Sequence, residues 1–268
     1  DTLARMPVPE LVVVTSPFTY TYPGVQDAIA IIRTAFPRVP VWLGGIYAQL
    51  CPEHARRHAG ADAVITKADL SAFVARLAAI FPHLTVPPHQ FAHIADWPAP
   101  ALDLYPALSY IPLRLSRGCV NTCAYCAAPY LCPHFEERDA ERAAAELLAF
   151  CARTGARDIA FYDDALLANA ERRLLPFVRR VCAVRRDLRW HTPNGMHLRL
   201  ITDELAGVLR AAGFVTLRFG LESANYARIV STGAKYAQRD VARCVHALLR
   251  AGFDPRTVGL YILMGLPG

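Results

Sequence analysis

Apolar positions in the first 80 residues fall into short β-branched runs, separated by stretches with helical spacing. Residues 11–15 (LVVVT) form a continuous run, the mark of a strand buried on both faces, and Ser16-Pro17 breaks it. Residues 26–34 repeat apolar side chains at helical spacing and are closed by Pro37 and Pro40. Val41, Trp42 and Leu43 make a second strand, followed at once by Gly44-Gly45. A short helix around 53–58 leads to a third strand at 63–66, and 70–80 reads as an amphipathic helix. The βαβαβα alternation predicts a parallel wound sheet.

From Phe81 to Pro112 no period of 2 or 3.6 persists and seven prolines occur, which predicts a linker wrapped on a surface. Beyond it, strands are expected at 111–116, 158–162, 188–192, 216–220 and 258–264. Helices are expected near 137–153, 170–186, 202–212 and 237–251, several ending at a breaker such as Gly155, Gly213 or Gly252. Five successive βα units argue for a barrel or a wound sheet. The expected organisation is a partial wound, flavodoxin-like domain at 1–83, a linker at 84–110 and an incomplete barrel at 111–268.

Composition narrows the class. The chain has 268 residues, of which 54% are hydrophobic and 19% charged. That supports a packed core and excludes disordered or fibrous structure. No apolar run approaches the roughly 18 residues that span a bilayer. The net charge is +6, but the arginines are scattered and only Lys67 and Lys235 are lysines, so no nucleic-acid-binding stripe emerges. The first residue is Asp and the last residues run from a strand into Gly-Leu-Pro-Gly, which reads as an internal piece of a longer protein.

Of eight cysteines, three fall within eight positions (Cys119, Cys123, Cys126), while Cys51, Cys132, Cys151, Cys182 and Cys244 are spread singly. A cluster in a large, core-rich chain points to metal binding in a reducing, cytoplasmic compartment. The single cysteines read as small buried side chains with no second cluster. The C-terminal end of each barrel strand carries polar or glycine-rich text. The cysteine loop follows the first; Asp163-Asp164 the second; His191, Asn194 and Gly195 the third; Glu222-Ser223 the fourth; and Gly265-Leu266-Pro267-Gly268 the fifth. Barrel active sites are built at that end. Thiolates suit zinc or iron–sulfur. A structural zinc site would need a fourth ligand, for which Cys132 or His134 is available. Three thiolates alone would hold three corners of a cubane and leave one iron open. Blander readings exist for the other residues. Asp163 and Asp164 would cap the next helix, Glu222 would pair with Arg218 or Arg228, His191 and Asn194 would be satisfied loop groups, and Lys235 would sit on a solvated face.

The C-x3-C-x2-C loop, with Tyr125 before its third cysteine, resembles the radical S-adenosylmethionine (SAM) superfamily. The resemblance implies a [4Fe-4S] cluster on Cys119, Cys123 and Cys126, with SAM chelated to the fourth iron. Asp163-Asp164 stands where many members carry Gly-Gly-Glu, and the acids depart from that pattern. Glu222-Ser223, in the sequence GLES, resembles the segment near the ribose or methionine moiety. Tyr261 to Gly265, with Leu266, resembles the segment that packs on adenine. The resemblance covers 111–268 and lacks a sixth strand.

The first block resembles the cobalamin-binding domain that precedes many of these barrels, in which a Ser-x-Leu segment follows one strand and Gly-Gly the next. Here Ser16-Pro17-Phe18 and Gly44-Gly45 stand in those places, 28 residues apart from Ser16 to Gly44. Small residues at strand ends let a nucleotide tail approach the backbone. The family's Asp-x-His-x-x-Gly segment would lie upstream of residue 1.

Together these resemblances imply a radical SAM enzyme that reductively cleaves SAM to a 5′-deoxyadenosyl radical. Cobalamin would support methyl transfer or a radical rearrangement on an unknown substrate, and the electron donor would be a flavodoxin or ferredoxin. The alternatives are a radical SAM enzyme whose first domain binds nothing, and a non-catalytic zinc module. A methylthiotransferase fits less well, because residues 1–110 carry one cysteine. No residue is assigned a catalytic role beyond cofactor binding.

Overall fold

The computed structural model describes residues 3–67, 70–83, 93–105, 107–233 and 235–265. The chain divides into two compact units, Asp1–Gln90 and Phe91–Gly268.

The first unit holds a parallel sheet of β1 (Val12–Ser16), β2 (Val41–Gly44) and β3 (Ala63–Val64), in that order. Its helices are α1 (Tyr22–Ala35), α2 (Gly45–Leu50), α3 (Pro52–His58) and α4 (Leu70–Ile80). Proline in the first turn lets α1 start earlier than its apolar spacing indicates. A short helix, α2, begins directly at Gly45, where the sequence reads as a turn. Val25, Ile29, Val41, Leu43, Tyr47 and Ala55 form the core of this unit.

The second unit is a five-stranded parallel sheet in the order β10-β9-β8-β7-β4. Its strands are β4 (Ile111–Leu113), β7 (Asp158–Phe161), β8 (Arg189–His191), β9 (Phe214–Glu222) and β10 (Val258–Ile262). A two-stranded antiparallel pair, β5 (Ser116–Arg117) and β6 (Glu136–Glu137), lies between β4 and β7 in the chain. The helices are α5 (Ala128–Leu131), α6 (Ala140–Thr154), α7 (Leu174–Cys182), α8 (Asp203–Ala211), α9 (Tyr226–Ser231) and α10 (Gln238–Arg250). Asp139 and Thr202 cap α6 and α8 through their side chains, as short acceptors at an N-terminus do. The result is a partial barrel. Among the described residues no helix is long and apolar enough to cross a membrane.

Two departures from the expected elements have local causes. The strand expected at 111–116 stops after Leu113 and resumes as β5, because Leu115 N and Ser116 Oγ bind Asp163 rather than continuing the ladder. The helix expected from 170 starts at Leu174, because the buried Arg173 guanidinium turns back to the carbonyls of Ala165, Leu166 and Ala168. Within the segment 84–110, residues 93–105 belong to the second unit. Leu102 joins its core, and Ile94 N donates to Glu136.

Side chains alternate across the sheet. Ile159 and Phe161 of β7, Trp190 of β8 and Leu217 and Phe219 of β9 face the helices and are fully buried. A register shift between Trp190↔Phe214 and His191↔Thr216 places Phe214 on that same side. Phe161, Trp190 and Phe214 stack with centroids 5.5–6.0 Å apart, and Phe177 meets Phe161 and Trp190 edge-on. Trp190→Ala is therefore expected to destabilise the second unit by about 3–5 kcal/mol, the range for deleting a large buried aromatic. Denaturant titration followed by near-ultraviolet circular dichroism checks this.

Candidate functional site

The cysteine loop runs from β5 to α5 at the C-terminal end of the parallel strands. It is fixed from both sides. Gly118 has φ +80°, and a Cβ there would stand 2.6 Å from the His134 carbonyl oxygen, so the turn into Cys119 admits only glycine. On the far side Ala124 N donates to Thr232 O at 3.0 Å, and a Cβ on Gly233 would lie 3.3 Å from Cys123 Cα. Between these anchors Cys126 N closes a turn on Cys123 O at 2.9 Å.

The three sulfurs share one electrostatic neighbourhood. Burial pushes the Cys119 thiol pKa up. Cys126 and Cys123 add to the rise, while the Asn121 backbone N–H and Lys235 oppose it. Asn121 N and Nδ2 lie 3.4 and 3.8 Å from Cys119 Sγ, and His197 Nε2 lies 3.9 Å from it. Burial, then Lys235 and Arg199, holds the His197 pKa down at about 4, so this ring is neutral at pH 7. The Tyr125 pKa is raised by burial first, then by Cys123, Glu222 and Cys126, which places its phenol among those groups.

Glu222 joins the cluster through an unusual backbone. Its φ of +62° lies in the left-handed region, which a glutamate adopts only where its surroundings hold it. The side chain folds back over Gly220 to pair with Lys235 Nζ at 2.9 Å, with side-chain exposures of 13% and 12%. A Cβ on Gly220 would stand 2.4 Å from Glu222 Oε1 and 2.6 Å from Lys235 Nζ, so Gly220 makes room for the pair. The Tyr236 hydroxyl donates to the Leu221 and Ser223 carbonyls and clamps the turn. Lys235, expected on a solvated face, is thus largely shielded and paired beside the cysteine loop. Its place two residues after Gly233, as one of only two lysines, was the sequence signal. Neither His197 nor Asn121 announced its role.

Asp163 requires a correction as a candidate SAM contact. Its carboxylate is 3% exposed and turned into the protein, accepting from Leu115 N at 3.1 Å and Ser116 Oγ at 2.6 Å. Burial pushes its pKa up against these bonds and against Arg173. It holds the strand that launches the cysteine loop, and it caps no helix. Asp164 stays at the rim, accepting from Gly118 N at 3.3 Å. Asn194 Nδ2 ties the third rim loop to the second through the carbonyls of Tyr162 and Asp163. Ser223 Oγ accepts from Asn225 N within its own turn. Gly265 is exposed, with φ +81°, and Leu266 lies outside the described residues.

The geometry bears on the choice of metal. A single tetrahedral ion needs its ligand atoms within about 2.3 Å of one point. Among the described residues no three His, Cys, Asp or Glu side chains are so placed. Cys132 Sγ donates to the His134 carbonyl instead. A four-iron cluster takes each thiolate at its own corner, and three cysteines of one loop match that donor set. Cys151 and Cys244 lie in the core.

In the first unit the candidate residues part company. Ser16 Oγ donates to Phe18 O at 2.8 Å and is buried. Gly45, at φ +87°, lets β1 pass closely: a Cβ would stand 2.5 Å from Thr15 Oγ1 and 2.6 Å from Ser16 O. Both positions serve the fold: Ser16 is buried, whereas Gly45 stays exposed at the strand end. Gly44 faces open space, and the exposed Phe18 ring stacks on Tyr20 at 5.2 Å.

Asp163→Ala would leave Leu115 N and Ser116 Oγ buried without an acceptor, at an expected cost of about 1–3 kcal/mol. Asp164→Ala is expected to cost less than about 1 kcal/mol, because one long bond is lost. Denaturant titration of the two variants side by side checks the difference.

No curated protein sequence matches the chain. Two solved structures of the radical SAM methyltransferase TsrM from Kitasatospora setae share its fold. One, with tryptophan substrate and the SAM analog aza-SAM bound, is 17% identical, with TM-score 0.75 over 100% of this chain and 59% of that one. The other, with cobalamin and a [4Fe-4S] cluster bound, is 18% identical, with TM-score 0.73 over 99% and 60%. The chain thus spans about three-fifths of the length of these proteins. The radical SAM superfamily profile matches residues 113–268, from the last residue of β4 through the cysteine loop and the other four strands of the second sheet. By that match over more than half its length, the chain belongs to the radical SAM superfamily.

Proposed function

We propose that this chain is the cofactor-binding portion of a radical SAM enzyme that works with cobalamin in a reducing cytoplasm. The observation that carries the reading is the convergence of Cys119, Cys123, Cys126, Tyr125, Glu222 and Lys235 at one end of a parallel barrel. Three thiolates leave one iron without a protein ligand. When bound, the [4Fe-4S] cluster supplies the electron that cleaves SAM to methionine and a 5′-deoxyadenosyl radical. The chain's own residues bind and orient. Glu222 and Lys235, opposite charges side by side, match the amino and carboxylate groups of a methionine moiety, each exchanging its present partner for a ligand group. Their low exposure excludes water, which strengthens both contacts. A flavodoxin or ferredoxin is the proposed electron donor.

Gly44 and the Phe18–Tyr20 stack offer the first unit's surface for cobalamin, and methyl transfer is the finer reading of the reaction. A first unit that binds no corrinoid is the second reading. It is favoured by Ser16 and Gly45, which are used within the fold. Corrinoid uptake by the full-length protein, measured by its visible spectrum, separates the two.

Anaerobic reconstitution is expected to give a brown protein with about four irons and four sulfides per chain. Replacing Cys119, Cys123 and Cys126 together by Ala is expected to abolish the colour, whereas stoichiometric zinc without sulfide would overturn the reading. With dithionite, the reconstituted protein is expected to convert SAM to methionine and 5′-deoxyadenosine. Glu222→Gln is expected to weaken SAM binding by about tenfold or more, the loss of a charge-assisted hydrogen bond.

A further inference from the structure

The concave face of the second sheet carries a cavity of about 510 Å³, within the size range of small-molecule sites. Its principal lining residues are Tyr110, Tyr162 and Tyr261, with Asp158, His191 and Arg218. Most of its polar groups are already matched. Asp158 pairs with Arg189 and accepts from His191 Nε2 at 2.9 Å, and Arg189 holds its pKa down at about 2. His191 Nδ1 meets Thr216 Oγ1 at 2.7 Å. The Tyr110 and Tyr162 hydroxyls bond each other at 3.1 Å, and the Tyr261 hydroxyl donates to Pro193 O at 2.6 Å.

Arg218 is the exception. Its Nη1 donates to the carbonyls of Leu217 and Thr257, which fixes the guanidinium. Its stem lies on Gly259, where a Cβ would stand 2.7 Å from Arg218 Cδ. Among the described residues Nε and Nη2 have no acceptor, and no carboxylate lies within ion-pair distance. Asp158 does not neutralise Arg218, because Arg189 already balances it. A fixed planar fork with free donors in a half-enclosed space suits a carboxylate. The three tyrosine rings supply flat apolar walls, and Tyr110 and Tyr162 are already stacked with centroids 6.5 Å apart.

We propose that this cavity binds the substrate as an aromatic carboxylate, its carboxylate on Arg218 and its ring against Tyr110, Tyr162 and Tyr261. The assignment rests on the radical SAM reading only for the consequence that the bound molecule is the one that reacts. Binding itself is a property of the barrel. Tyr162 and Pro193, at the upper edge of the cavity, directly precede Asp163 and Asn194 of the cofactor rim, so a ligand held there lies on the rim's side of the sheet.

Equilibrium dialysis of the reconstituted protein against indole-3-acetate, indole-3-acetamide and hexanoate tests the assignment. Indole-3-acetate is expected to bind about tenfold or more tighter than either of the others, since one lacks the charge and the other the ring. Arg218→Gln is expected to erase the preference for the acid over the amide, and Arg218→Lys to restore part of it. Tyr261→Leu is expected to reduce the preference for indole-3-acetate over hexanoate. Circular dichroism and iron content establish that each variant is folded and loaded. Equal binding of acid and amide, an unchanged preference in Arg218→Gln, or no binding of any probe would overturn the proposal. SAM cleavage without probe is measured in parallel. Protein that cleaves SAM but does not discriminate the probes refutes the cavity assignment alone, and protein that discriminates them but loads no cluster refutes the proposed reaction alone.

Discussion

A single buried carboxylate sets the position of the cysteine loop. Asp163, at the end of β7, receives Leu115 N and Ser116 Oγ from the chain leaving β4, where strand pairing would otherwise have continued. This exchange of ladder hydrogen bonds for side-chain bonds frees the chain to turn into β5, pass Gly118 and enter the loop. Burying a carboxylate is costly unless it is paired and hydrogen-bonded. Here the backbone and a serine supply the bonds, and Arg173 beneath supplies the compensating charge. Arg173 in turn depends on the carbonyls of the turns at 165–168 and on Glu137 of β6. The strand that carries the loop, the strand that returns from it and the start of α7 are thereby tied through one charged pair.

The opposite side of the loop depends on a different economy. Glu222 and Lys235 are mostly shielded from water, and their pairing requires both a bare Gly220 and a left-handed glutamate backbone. Buried ion pairs contribute little to stability, because desolvation offsets their attraction. Strain and shielded charge are thus concentrated at one rim position. The neutral His197 and the Asn121 amide complete this side around Cys119. The concave face below follows the same division. Its acid and histidine satisfy each other and its phenols are hydrogen-bonded, while among the described residues Arg218 Nε and Nη2 have no acceptor.

The sequence by itself determined the elements and the chemistry. β-branched runs such as 11–15, helical spacing such as 70–80 and glycine breakers such as Gly155 are local signals, because propensity and burial pattern act within a few residues. The spacing of Cys119, Cys123 and Cys126 is local too, and it marked a thiolate metal site, zinc or iron–sulfur, before any fold was known. Tertiary structure alone decided which polar residues serve the site. Asp163 and Asp164 are neighbours in sequence, yet one turns inward and the other stays at the rim, because successive residues at a strand end point to opposite sides. Ser16 and Gly45 matched a binding pattern but are used by the approach of β1 to α2. Lys235 carries only its rarity as one of two lysines, and His197 and Arg218 carry no local signal. Their roles arise from partners 13, 78 and 39 residues away in the chain, and only the packing of parallel strands brings such partners within hydrogen-bonding reach.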